Sequence, residues 1–133
     1  MEYYYLTDSG KVRTHNEDNV TIVKNSDDNI LLAVADGMGG HSAGEIASSI
    51  AISYLHKKFL EEFRDFDKVK AVNWLRNSVI EINKLIFKYA DENPTSKGMG
   101  TTLVIALYTK DYILIGNIGD SSGFVLKDDE LHK

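Results

Sequence analysis

The sequence predicts an α+β domain, and three observations carry that prediction. Strand-like runs open the chain, two long stretches with helical spacing follow one another directly, and strand-like runs close it. An α/β protein would alternate strand and helix instead, so like elements in clusters argue for α+β. The 133 residues suffice for one domain with a real core. No linker, repeat or low-complexity segment divides them, so residues 1–133 are expected to form a single domain.

In chain order, residues 3–7 read as a short strand and Asp8-Ser9-Gly10 as a turn. Residues 20–24 are largely β-branched, another strand, closed by the turn-forming run Asn25-Ser26-Asp27-Asp28-Asn29. Between them lies a polar loop, residues 11–19. Residues 30–35 are six apolar residues, long enough for a buried strand and too short for a buried helix. Asp36 is expected at that strand's end, with Gly37, Gly39 and Gly40 turning the backbone. Ser42 and Glu45 have capping-box spacing, which starts a helix. Ile46, Ala47, Ile50, Ala51, Tyr54 and Leu55 carry it at helical spacing to about Phe63. A second helix begins after Asp67 as N-cap, with Val69, Val72, Leu75, Val79, Ile82, Ile86 and Tyr89 as its apolar stripe. It ends before Asn93-Pro94, because proline pushes its predecessor away from helical geometry. Trp74 and the helical Phe and Tyr residues read as core. Residues 101–108 and 112–118 form a hairpin around Thr109-Lys110-Asp111. Residues 119–123 turn, 124–127 start a strand, and Asp128-Asp129-Glu130 reads as a further turn.

Composition narrows the function. Hydrophobic residues make up 43% and charged residues 26%, as in soluble globular domains. The formal charge is -5 with no basic tract, which argues against a nucleic-acid partner. Cysteine is absent, so disulfides and thiolate metal sites are excluded and a reducing compartment is compatible. The start, Met1-Glu2-Tyr3-Tyr4-Tyr5, lacks a secretory pattern, and no apolar run approaches membrane-spanning length. A cytoplasmic protein with no membrane partner is expected.

Acidic residues fall at strand ends or adjoining loops in three places: Glu17-Asp18, Asp36 and Asp120. Oxygen-rich clusters suit Mg²⁺ or Mn²⁺, whereas zinc favours His and Cys. Arg13 lies nearby in sequence, and its guanidinium fork matches phosphate oxygens. Together they suggest phosphate-ester hydrolysis by a metal-acidified water. Taken singly, each has a plainer reading: Arg13 as a surface ion-pair partner, Asp18 as a turn residue, Asp120 as an Asx-turn residue. His41 is a polar residue ahead of a helix cap, or a proton donor to the leaving group. Glu45 has its structural role in the capping box.

The motifs Arg13-x-x-Asn16-Glu17-Asp18, Asp36-Gly37-Met38-Gly39-Gly40-His41-x-x-Gly44-Glu45, Gly100-Thr101-Thr102 and Gly119-Asp120-Ser121 occur in this order. In these the chain resembles the metal-dependent protein serine/threonine phosphatases of type 2C, in compact bacterial form. The resemblance spans nearly the whole chain but matches only the N-terminal part of the family's catalytic domain. It implies an antiparallel β-sandwich flanked by helices, of which this chain is a partial copy. It also implies that Asp36 bridges two Mn²⁺ or Mg²⁺ ions, served by the Gly37 carbonyl and Glu17. By the same resemblance Asp18 orients the water, Arg13 holds the phosphate, and Asp120 belongs to a third metal. The implied partners are phosphorylated proteins, in opposition to a serine/threonine kinase.

The chain departs from the family in three ways. Ser122 replaces the arginine of Gly-Asp-Ser-Arg, and Met38 stands where some members carry histidine. The family's later Asp-Gly and Asp-Asn motifs have no counterpart, so the chain reads as truncated at its C-terminus. The leading expectation is therefore a phosphatase of which this is one part, weakly active or inactive alone. The competing expectation is a non-catalytic phosphatase-like binding or regulatory module with an incomplete metal site. A nucleotide-binding domain is a weaker third, since neither the P-loop lysine pattern nor G-x-G-x-x-G spacing occurs.

Overall fold

A computed structural model describes residues 18–38, 43–94, 98–118 and 124–130, with Asp18 and residues 124–130 described in backbone alone. The expected strand at 3–7 and the Ser42 side of the capping box lie outside them. In chain order the elements are β1 (Asp18–Lys24), β2 (Ile30–Met38), α1 (Ala43–Glu62), α2 (Lys68–Glu92), β3 (Gly100–Tyr108), β4 (Tyr112–Ile118) and β5 (Phe124–Glu130). The five strands form one antiparallel sheet in the order β1-β2-β3-β4-β5. The α1–α2 pair is inserted between two neighbouring strands, β2 and β3. This is the α+β clustering read from the sequence, and among the described residues it is one sheet layer of the implied sandwich.

Period-two alternation decides which face the helices cover. In β2, Leu31, Ala33 and Ala35 are fully buried, while Leu32, Val34 and Asp36 are exposed. Their partners repeat the pattern: Leu103, Ile105 and Leu107 are buried on β3, with Leu114 behind them on β4. On the opposite face, Val104 of the central strand β3 is 46% exposed and Val34 39%. The helices thus cover one face, and an apolar strip lies open on the other.

The covered layer tapers. Near the C-terminal end of β2, α1 presents Ala43, Gly44, Ala47, Ser48 and Ala51, all fully or almost fully buried. Small side chains let the helix backbone lie close to the strand. Toward the other end, Leu55, Phe59 and Phe63 fill a wider space. Phe59 and Phe63 pack on Trp74 of α2, with ring centroids 6.4 and 5.4 Å away. Trp74 is therefore core, as expected, and its Nε1 donates to Glu62 at 3.1 Å. Burying each large side chain contributes about 1.5–3 kcal/mol, so this thick end holds most of the packing energy.

Local chemistry sets the corners. Asp67 caps α2, its carboxylate accepting from the Lys70 amide at 2.8 Å. The helix stops at Glu92, ahead of Asn93-Pro94. In the β1–β2 turn, Asn25 Oδ1 accepts from the amides of Asp27 and Asn29, both at 3.0 Å, and Asp28 takes the left-handed φ of 62° that Asp tolerates. Asn25 Nδ2 also donates to the Phe63 carbonyl at 2.9 Å, tying this turn to the chain just after α1.

Several expectations need correction. Strand β1 begins at Asp18, within the residues read as a polar loop, and Phe87 of α2 is 68% exposed rather than core. Strand β2 does not end at Ala35 but runs to Met38, because Asp36, Gly37 and Met38 pair with Thr102, Thr101 and Gly100. Residues 128–130 are not a turn: they continue β5 along β4, at the edge of the described sheet, a position that tolerates acidic residues. Val69 is 69% exposed and lies off the buried stripe of α2, which starts at Ala71.

One-sided burial has a direct test in the 133-residue chain. Leu107→Ala should cost about 2–5 kcal/mol, as cavity-forming changes do. Val104→Thr, on the same strand but the open face, should stay within about 0.5 kcal/mol. Urea unfolding of both variants measures this, and equal losses would contradict the open face.

Candidate metal centre

The last part of β2 brings the chemistry-bearing positions together. Asp36 is exposed on the sheet face that the helices leave open. Asp18 of β1 is its register partner on one side and Thr102 of β3 on the other. Three oxygen-bearing residues thus lie in one row across three adjacent strands. The Thr102 hydroxyl donates to the Asp36 carbonyl at a long 3.4 Å. Pairing with β3 therefore holds Asp36 inside regular strand geometry, where a glycine turn was expected.

Gly37 follows on the opposite face, toward α1, and is buried. A Cβ added there would stand 1.8 Å from the Gly44 carbonyl oxygen and 2.8 Å from its Cα. Strand and first helical turn meet backbone to backbone, and only glycine fits at position 37. Gly100, paired with Met38, differs: an added Cβ would meet the Met38 Cγ at an ordinary 3.7 Å.

Next to Asp18, Asn19 is on the helix-covered face. Its Nδ2 donates to Ser48 Oγ at 2.7 Å, and Ser48 Oγ in turn donates to the Glu45 carbonyl at 3.1 Å. Two residues on, buried Thr21 shares a 3.0 Å hydrogen bond with His56 Nδ1. Sequence reasoning assigned no role to Asn19, Ser48 or Thr102. The available signal was the alternation itself: polar Asn19 and Thr21 stand at positions of β1 that face a helix.

Of the site residues expected from sequence, Asp18, Asp36 and Gly37 converge at this end of the sheet. Arg13, Glu17, His41 and Asp120 lie outside the described residues. Among the described residues no group of three or more His, Cys, Asp or Glu could hold a metal ion. The donor chemistry nonetheless fits a hard cation. The row offers carboxylate and hydroxyl residues, the chain has no cysteine, and His56, exposed on α1, is bonded to Thr21 of the opposite, helix-covered face.

Comparison with known proteins now bears on this arrangement. The family model described as Protein phosphatase 2C matches residues 10–133. The chain belongs to the protein phosphatase 2C family. A curated relative, the serine/threonine phosphatase stp of Listeria welshimeri, is 40% identical over 133 residues, covering 100% of this chain and 53% of its own length. Among solved structures, serine/threonine phosphatase Stp1 from Staphylococcus aureus superposes with a TM-score of 0.78 at 39% identity, covering 91% of this chain and 50% of that one. The catalytic domain of serine/threonine protein phosphatase PstP, solved with two manganese ions, matches with a TM-score of 0.72 at 32% identity over 91% of this chain and 52% of that one. The chain therefore spans about half the length of the curated stp relative, 53% of it.

The two glycines of the site separate by substitution. Gly37→Ala should lower stability by about 1–3 kcal/mol or more, because backbone rather than a side chain tip must move. Gly100→Ala should stay within about 1 kcal/mol, since only ordinary contact is added. Thermal unfolding of the two variants reads the difference, and a harmless Gly37→Ala would refute the backbone contact.

Proposed function

We propose that this chain supplies the N-terminal part of a catalytic domain that hydrolyses phosphoserine and phosphothreonine in proteins, with Mn²⁺ or Mg²⁺. The observation that carries this reading is the register pairing of Asp18 with Asp36 on the open face of the sheet end. The named activities of the relatives and the two manganese ions of the PstP domain support it.

In this reading Asp36, the Gly37 carbonyl and Glu17 would hold two ions, and Asp120 would serve a third. The bound ions supply an acidified water and offset the phosphate charge. Asp18 would accept a hydrogen bond from that water and orient it toward phosphorus. Arg13 holds two phosphate oxygens in its fork, which orients the ester for in-line attack. His41 gives a proton to the departing serine or threonine oxygen, so water and phosphoester become alcohol and phosphate. The substrates are phosphorylated proteins, opposed by a serine/threonine kinase, in the cytoplasm. Residues 1–133 act as one domain unit.

One observation favours a second reading, a phosphatase-like module that binds without turnover: the described residues hold no group of three or more His, Cys, Asp or Glu that could bind a metal ion. A phosphopeptide assay with Mn²⁺ distinguishes the two. Where turnover is seen, Asp36→Ala should abolish it, by at least about 100-fold, because a bridging carboxylate is lost. Arg13→Ala should raise KM more than it lowers kcat. Near-normal turnover by the Asp36 variant at saturating Mn²⁺ would overturn the assignment. Mn²⁺ binding with no hydrolysis even when the rest of the catalytic domain is supplied would favour the second reading, since these residues alone are expected to be weakly active at most.

A further inference from the structure

We propose that the first turns of α1 clamp the two acidic strands together, and that Asn19 is the positioning residue through which Asp18 is set against Asp36. The proposal rests on the metal reading above and names the device that holds its two aspartates.

The connection is a closed loop of contacts. From Asp18 the chain passes to Asn19, whose Nδ2 reaches Ser48 Oγ at 2.7 Å. Ser48, fully buried, is bonded to the Glu45 carbonyl one turn back, at 3.1 Å. Glu45 follows Gly44, whose carbonyl is seated where a side chain of Gly37 would be. Gly37 follows Asp36, and Asp36 is the register partner of Asp18. One rigid helical turn therefore touches both strands, each at the residue directly after an aspartate.

Each contact supplies what the other lacks. The Gly37–Gly44 approach fixes how close the helix lies to β2, because backbone atoms have no rotamers to yield. It does nothing for β1. Strand β1 is at the edge of the described sheet and is paired with β2 alone there. Its helix-facing positions are Asn19, Thr21 and Val23, the residues opposite buried Ala35, Ala33 and Leu31. Apolar side chains at positions 19 and 21 would bury more surface but would let the strand slide or tilt. A hydrogen bond has a direction and a length, so Asn19 sets the strand end where a Leu would only cover it. Thr21–His56 is a second tie of the same kind, two residues farther from Asp18.

Amide spectra of the ¹⁵N-labelled 133-residue chain test this, read as line broadening on Mn²⁺ titration and as amide hydrogen exchange without metal. Asn19→Ala and Ser48→Ala should each weaken the Mn²⁺ response at the strand ends about three- to tenfold, the worth of one hydrogen bond. Exchange at Asp18 and Asp36 should quicken. The double variant should be little worse than either single one, since both remove the same contact. Thr21→Val removes a comparable bond on the same strand and should leave the Mn²⁺ response unchanged, which a general stability effect would not do. Asn19→Ala behaving as the unsubstituted chain, or Thr21→Val losing as much, would overturn the proposal. If Asp36→Ala keeps the full Mn²⁺ response, or the unsubstituted chain shows none, the metal reading itself falls. The exchange comparison then still decides whether the clamp sets the two strand ends.

Discussion

The backbone contact between β2 and α1 is the constraint on which the rest of this structure depends. Gly37 has no side chain and Gly44 lies against it, so helix and sheet approach more closely there than any other residue pair would permit. The small residues of α1 continue that approach: Ala47, Ser48 and Ala51 face Ala33 and Ala35 across a thin layer. Packing energy must then come from elsewhere, and the aromatic cluster of Phe59, Phe63 and Trp74 supplies it at the opposite end. The division is useful physically. The thick end contributes stability by burial, while the thin end gives up buried area for accurate placement of backbone.

Alternation then carries placement into chemistry. Because Gly37 must face the helix, Asp36 and Met38 must face the other way. Because β1 and β3 pair in register with β2, Asp18 and Thr102 fall beside Asp36 without further provision. A shift of one residue in either pairing would send these positions to the helix face and break the core. The same rows that bury Leu31, Leu103 and Leu107 therefore specify the acidic row, and the fold cannot lose one without the other.

The open face follows from the same parity. Leu32, Val34 and Val104 stand on the side of Asp36, exposed at 36–46%. The apolar strip and the aspartates share one surface, so whatever meets that face also shields the candidate centre from water. A drier setting strengthens each charge interaction made within it.

Much of this was legible in the sequence. The apolar run before Asp36, the Asp67 cap, the Asn93-Pro94 stop and the Thr109-Lys110-Asp111 hairpin are local, because propensity and capping act over a few neighbouring residues. The order of four short motifs pointed to the phosphatase family, which the match over residues 10–133 establishes. The sequence alone did not decide where β2 ends. Its glycines signal a turn, yet pairing with Gly100, Thr101 and Thr102, more than 60 residues away, keeps the strand extended. Nor did it show why Gly37 is glycine, since the reason is the carbonyl of Gly44 in another element. The roles of Asn19 and Ser48 were hidden for a related cause: alternation marks polar Asn19 as out of place only once the helix-facing side of β1 is known, and its bond to Ser48 spans 29 residues. Local chemistry wrote the elements and the motifs, and only long-range pairing and close packing decided which atoms of those motifs meet.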